Sequence, residues 1–312
     1  MVSEFQFINH IKKRFSLDRV GDDCAVLPKN STTDLLITAD LLIEDIDFRL
    51  EWATPEQIGH KALAVSLSDI AAMGGTPTSA MLSIGVPQRL WDDGFPEAFY
   101  YGWHKLASQF GVELVGGDTS RSPDRLVIDS IVLGDVPKGK AILRSGAGPG
   151  DAIFVSGTLG GASAGLKLLE AGEPRLSLDL VERQLRPLPQ VELGKSLREL
   201  GILTSMIDVS DGLTSDLQHV CEASGVGATL DAELVPIAPD TLGIMRFDEA
   251  FDAAINGGED YELLFTAAES DLGALANVPV TQIGKITSEP GKLEIRRNGT
   301  AEILIPSGFR HF

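Results

Sequence analysis

The stretch PEQIGHKALAVSLSDIAAMG, residues 55–74, reads as one helix. Pro55 stands near its start, and Gly74-Gly75 stop it. Asp69 interrupts an otherwise apolar face of this helix. A carboxylate on such a face needs a hydrogen-bonding partner, a cation or a metal, because burying it alone is costly. Any fold of this chain has to bring that partner to the helix.

Acidic residues recur in a related setting elsewhere. They stand in GDDCAVL (Asp22, Asp23), LLITAD (Asp40), VGGDTSR (Asp118), IDVSDGL (Asp208, Asp211) and NGGEDYELLF (Glu259, Asp260). Most lie at a strand end or a glycine-bounded turn, the edge where open α/β sheets bind ligands. Turn chemistry accounts for any one of them alone, since Asp bonds its own backbone and Gly supplies positive φ. Asp211 alone reads equally as the N-cap of a following helix. Together they suggest convergence. Two carboxylates ~5 Å apart repel by ~3 kcal/mol at an effective dielectric near 20, so a cluster needs cations. Oxygen-only ligands select Mg²⁺ or Mn²⁺ over zinc. The five histidines show no metal-ligand spacing, and the two cysteines form no CxxC. Mg²⁺ held by few carboxylates shares its shell with substrate phosphates, so an acidic site can hold an anionic nucleotide.

A chain of 312 residues suits about two domains. Helices are expected over 4–14, 55–73, 95–110, 161–171, 178–185, 190–200 and 211–224. Strands are expected over 23–27, 34–40, 78–86, 112–117, 125–136, 152–157, 205–210, 227–231, 260–266, 279–285 and 292–297. The Gly- and Pro-dense segment PKGKAILRSGAGPGD marks the boundary between domains 1–137 and 138–312. Alternation of strands and helices makes each half an α/β or α+β layer. A net charge of −19 disfavours nucleic acid and anionic membrane as partners. No apolar run approaches the ~20 residues of a membrane span. The opening MVSEFQFINHIKKRF reads as a mixed-charge helix, not a signal peptide, so a cytoplasmic setting is expected, with Cys24 and Cys221 reduced.

Other nucleotide and nucleophile signatures fail. Gly194-Lys195-Ser196 is no Walker A loop, since Pro189 stands where the first glycine is required. No GxGxxG follows a strand. GASAG (161–165) matches the nucleophile elbow around Ser163, but the preceding strand ends several residues earlier. Arg144 in a Gly-rich loop is either solvated or a phosphate ligand. Gly116-Gly117 would let backbone N–H groups approach a phosphate.

In order, GDDCAVL, ITADLL, HKALAVSLSDIAAMGG, VGGDTSR, ILRSGAGPGD, IDVSDGL, GGEDYELLF and GFRHF resemble the thiamine-monophosphate kinases over nearly the whole chain. The wider superfamily resembled includes aminoimidazole-ribonucleotide synthetase, selenophosphate synthetase and a hydrogenase maturation factor. The resemblance implies an N-terminal domain pairing with its twin in a homodimer through a barrel-like sheet, beside a C-terminal α/β domain. It implies the reaction ATP + thiamine phosphate → ADP + thiamine diphosphate, direct and in line, with several Mg²⁺ ions.

Residue by residue, the resemblance implies metal ligation by Asp23, Thr38, the Ala39 carbonyl, Asp40, Asp69, Asp118, Asp208 and Asp211. Tyr100, Gly117, Asp118, Arg144 and Ser210 resemble ATP contacts, and Glu259 and Phe309 contacts to the thiamine moiety. Asp69, Asp211 and Arg144 are the residues expected to carry catalysis. Asp47 stands near the substrate phosphate where the family often has histidine, so it must be metal-bound, protonated or turned away, or a neighbour must make the contact. The acceptor is already an ionised phosphate, so no strong general base is needed. Another ATP-dependent synthetase of the superfamily and a non-catalytic nucleotide-binding relative are the competing readings.

Overall fold

The computed structural model describes residues 4–17 and 19–309. The last part of the GFRHF motif lies outside them. In the first half, helix α1 (Glu4–Phe15) precedes strands β1 (Ala25–Pro28) and β2 (Thr33–Ile43). Then come α2 (Pro55–Ala72), β3 (Thr76–Pro87), the short α3 (Gln88–Trp91), α4 (Phe95–Phe110), β4 (Glu113–Ser122) and β5 (Val127–Pro137). The strands form one open sheet in the order β1-β2-β5-β3-β4, antiparallel except for β3 and β4. Period-2 alternation turns Leu36, Thr38, Ile128, Ser130, Val132 and Leu82 inward as buried residues. The opposite face carries Leu41 and Met81, which are exposed, and no helix of this half covers it.

The second half holds β6 (Ala152–Ser156), α5 (Gly161–Glu170), α6 (Leu178–Leu185), α7 (Val191–Leu200), β7 (Leu203–Asp208), α8 (Leu213–Ser224), β8 (Gly227–Asp231) and α9 (Phe247–Asn256). Strands β9 (Leu263–Ala267), β10 (Val280–Thr287), β11 (Leu293–Arg297) and β12 (Thr300–Ile303) complete it. This sheet runs β12-β11-β8-β10-β6-β9-β7, with β8 and β11 parallel. Both sheets are mixed, so the architecture is α+β in two layers per half. The sequence pattern passes over α9, although Ala250, Phe251 and Ala254 recur at helical spacing. Helix α8 begins at Leu213, two residues later than expected, and Gly212, not Asp211, is its N-cap. Strand β9 starts late because Glu259 and Tyr261 take positive φ (68° and 51°), which no strand tolerates.

Helix α2 joins the halves. Thr54 and Gln57 form a reciprocal capping box at its start, with Pro55 in the first turn. Every residue from Ile58 to Ala72 is buried except Asp69. The helix touches β2, β5 and α4 on one side and α7 and β7 on the other. Close approach depends on glycines. A Cβ on Gly102 of α4 would sit 2.0 Å from the Glu56 carbonyl oxygen, and one on Gly194 of α7 would sit 2.1 Å from that of Ala71. Gly102→Ala is therefore expected to cost about 1–3 kcal/mol by overpacking. Gly273→Ala, in open space, is expected to stay within about 0.5 kcal/mol. Chemical denaturation of the two variants checks this, and equal midpoints would contradict the packing account.

Candidate active site

Four elements deliver carboxylates to one point beside α2. Asp69 comes from the helix itself, Asp208 from the end of β7, Asp40 from β2 and Asp23 from the turn before β1. Carboxylate oxygens of Asp23, Asp69 and Asp208 all lie within 4.8 Å of one another. Hydroxyls satisfy part of this charge. Ser68 donates to Asp208 at 2.6 Å, Ser66 to Asp40 at 2.7 Å, and Thr38 to Asp69. Thr38 and Asp40 reach the cluster because alternation turns both to the inner face, while Ala39 turns its side chain outward. Arg144 supplies the cation. Its Nε donates to Asp23 at 3.0 Å, its guanidinium makes a second contact there, and its backbone N–H donates to Asp22 at 3.0 Å. The arginine is thus bound to the acidic cluster and not solvated. Asp23 Oδ2 remains buried without a hydrogen-bond partner among the described residues.

Burial dominates the titration of this cluster. It pushes Asp40 up to about 6 and Asp208 up to about 7, with the charge of Asp23 adding to both. It lifts Asp69 well above the usual carboxylate range, helped by Asp40, Asp208 and Asp23. It raises Asp23 despite Arg144, and Asp22 to about 6. For Arg144 itself burial opposes the charge, but Asp23 outweighs it and raises the guanidinium further.

A second group lies on α8. Asp211, Asp216 and His219 also bring ligand atoms within 4.8 Å of one another. Asp216 is buried and accepts the N–H groups of Asp211 (3.2 Å) and Gly212 (3.0 Å), so it shapes the turn that presents Asp211. Sequence reasoning passed over Asp216 and His219, although i, i+3 spacing on a helix puts them on one face. Burial, with Arg144 nearby, pushes His219 down to about 4.

A cavity of about 460 Å³ opens between the halves. Asp40, Asp69, Asp208 and Asp211 line it together with Trp52, Lys61, Gln184, Glu259, Tyr261 and Phe309. Asp69, the one residue of the α2 run left half-buried, faces this space. Asp47 also lines it, but its carboxylate accepts the Ile43 N–H at 2.7 Å and so is held on its own turn. Ser210 lines the cavity, and its carbonyl accepts the Glu259 N–H at 2.8 Å. Phe309 is tied in by its N–H to the Asp211 carbonyl at 3.0 Å. Lys61 and Gln184, which the motifs did not single out, contact Glu259. Ser163 lies within the first turn of α5, seven residues beyond the end of β6, not at a strand-to-helix elbow.

Tyr100, Gly117 and Asp118 gather elsewhere. The Tyr100 side chain meets Thr119 on β4, whose residues Glu113–Ser120 are all exposed. Register aligns Asp40, Ser130, Leu82 and Gly117 in one row across the sheet. Gly117 thus lies roughly 14 Å across the sheet from Asp40, three strand spacings away. Asp118, next along β4, turns to the opposite face. Within one chain the structure does not bring this group to the buried carboxylates.

The chain matches two family models, the AIR synthase related protein N-terminal domain over residues 21–136 and its C-terminal domain over 148–296. It is 35% identical to the thiamine-monophosphate kinase of Bacillus subtilis (strain 168), with 100% of both chains covered. It is 38% identical to that of Escherichia coli (strain K12), covering 94% of this chain and 91% of the relative. The solved structure of AaThiL complexed with AMPPCP and TMP superposes with a TM-score of 0.90 at 32% identity, covering 100% of this chain and 97% of that one.

The raised carboxylates set a sign for stability against pH. Asp208 and Asp69 hold protons in the folded chain at pH values where unfolded carboxylates have lost them. The folded state then binds more protons, and stability falls as pH rises through the folded-state values. His219 and His60 are depressed and act oppositely, but only below about pH 6.5, the unperturbed imidazole value. Chelator-treated protein is expected to lose thermal stability from about pH 6.5 to about pH 8, and Asp208→Asn to flatten that loss. Calorimetric Tm values across the range check it, and a Tm that climbs would contradict the assignment.

Proposed function

The chain belongs to the AIR synthase related family and, within it, to the thiamine-monophosphate kinases, and from that membership we infer that it transfers the γ-phosphoryl group of ATP to thiamine phosphate, giving ADP and thiamine diphosphate. The observation that carries the reading is the cavity, lined both by carboxylates from the two halves and by aromatic and hydrogen-bonding side chains.

Mg²⁺ fits the carboxylate cluster. The donors are all oxygen, three carboxylates come within 4.8 Å, and Asp23 Oδ2 is an orphaned buried acceptor. Asp23, Asp69 and Asp208 would hold the ions, with Thr38, the Ala39 carbonyl, Asp40 and Asp211 as further ligands; Asp118, which one chain keeps apart from them, would join only from a second copy. When bound, such ions neutralise repulsion between two polyanions and developing charge on the transferred group. The protein's own part is positioning. Arg144 holds Asp23 and lies beside the phosphates, Ser210 contacts the nucleotide, with Tyr100 and Gly117 reaching it from a second copy, and Glu259 and Phe309 hold the thiamine moiety. Asp47, tied to Ile43 N–H, leaves the acceptor phosphate to be met by ions and neighbours. The acceptor oxygen is already anionic, so no side chain has to remove a proton.

The domain split at 137/138 and a homodimer belong to the same reading. The outward face of the first sheet, with Leu41 and Met81 exposed, and the exposed Leu114 and Val115 of β4 support pairing of two copies through a barrel-like sheet. Two buried free cysteines and the absence of a helix long and apolar enough to cross a membrane, among the described residues, fit a cytoplasmic setting.

ADP release is expected to require both thiamine phosphate and Mg²⁺ in a coupled assay. Asp69→Asn is expected to lower kcat by about 10²–10³-fold with the fold intact, as loss of one charge-stabilising group does. Turnover near wild type in that variant, or ADP release indifferent to thiamine phosphate, would sink the reading.

A further inference from the structure

The cavity contains an atom that the chain leaves unsatisfied. Gln184, near the end of α6, is buried and lines the cavity. Its Nε2 donates to Glu259 Oε2, while its Oε1 has no hydrogen-bond partner among the described residues. The orientation of this amide follows from charge. Lys61, itself buried, pairs with the other Glu259 oxygen at 2.5 Å. A carboxylate in such an ion pair accepts hydrogen bonds and donates none. Gln184 must therefore turn its N–H₂ toward Glu259, and flipping the amide would set oxygen against oxygen. The atom left over is a carbonyl acceptor. A buried acceptor without a partner is costly, and native structures keep such atoms mainly where function uses them.

The position of this acceptor matches one part of a thiamine phosphate molecule. Lys61 and Asp69 are eight residues apart on α2, which is about 12 Å along the helix axis. The carboxylate cluster around Asp69 takes the phosphate, and the Lys61–Glu259–Gln184 group is anchored about two turns of α2 away, in the same cavity that Trp52 and Phe309 line. What arrives there is the aminopyrimidine ring, whose one strong neutral donor is its exocyclic amine. We propose that Gln184 Oε1 accepts a hydrogen bond from that amine, which makes Gln184 a specificity-determining residue for the substrate ring. This rests on the thiamine-phosphate reading above and adds the residue that tells the amine from an oxygen at the same position.

The test compares thiamine phosphate with oxythiamine phosphate, in which a carbonyl replaces the exocyclic amine. Wild-type protein is expected to favour the amine by at least about tenfold in kcat/KM, because the carbonyl would face Gln184 Oε1. Gln184→Met, near in volume and without the acceptor carbonyl, is expected to raise KM for thiamine phosphate roughly tenfold, leave KM for ATP unchanged, and erase the preference. Gln184→His keeps one donor and one acceptor and is expected to retain it. Unchanged preference in a Gln184→Met protein with wild-type thermal unfolding overturns the proposal, as does a wild type indifferent to the two substrates. If Gln184→Met does not fold, the wild-type preference and its retention in Gln184→His decide. A wild type inactive on thiamine phosphate itself would instead overturn the kinase reading, so the two failures are distinguishable.

Discussion

Mutual repulsion among buried carboxylates is the constraint around which this protein is built. Asp23, Asp69 and Asp208 crowd one point, with Asp40 beside them, and one guanidinium, Arg144, answers them directly. Hydroxyls from Thr38, Ser66 and Ser68 each satisfy one carboxylate but bring no charge. The folded chain therefore raises its own carboxylate pKa values, holding protons where cations belong. Such an arrangement is poor as a stabilising device and well suited to bringing phosphates together once divalent ions are present.

Helix α2 makes that arrangement possible. It buries nearly every side chain, so its position is set by packing on both halves at once. Gly102 and Gly194 let it approach its neighbours at backbone distance. The same helix then carries Lys61, Ser66, Ser68 and Asp69 to their places. The 208–211 turn meets it from the second sheet and is locked to the 259–262 segment by backbone hydrogen bonds from Glu259 to Ser210, Tyr261 to Val209 and Val209 to Glu262. Positive φ at Glu259 and Tyr261 is the backbone strain that this locking sustains. Both sets of cavity-lining residues thus share one rigid support.

Much of the fold was legible because burial writes a period into the chain. The β2 and β5 runs alternate, and the α2 run is apolar around Asp69, so both were readable before any coordinates. Helix α9 was passed over although Ala250, Phe251 and Ala254 recur at helical spacing, because it is a short helix of ten residues set between irregular segments. The late start of β9 was hidden because nothing local announces left-handed Glu and Tyr residues. The acidic motifs were visible one by one, yet each also fitted ordinary turn chemistry. Asp211 illustrates the difficulty: it reads as a helix cap, whereas Gly212 is the N-cap of α8 and Asp216 holds the turn before it from inside the helix.

The amino-acid sequence by itself determined the two α+β halves, the family, and the acidic motifs from which the proposed site is drawn. Local pattern and composition suffice for these, because each depends on a few neighbouring residues. Only the tertiary structure decided which carboxylates meet, that Arg144 spends its charge on Asp23, and that Gly117 and Asp118 lie across the sheet from the cluster. It alone paired Lys61 and Gln184 with Glu259 across separations in the chain that no local pattern records. The physical reason is that electrostatic and hydrogen-bonding partners are chosen by distance in space, and that distance exists only after the halves have packed against α2.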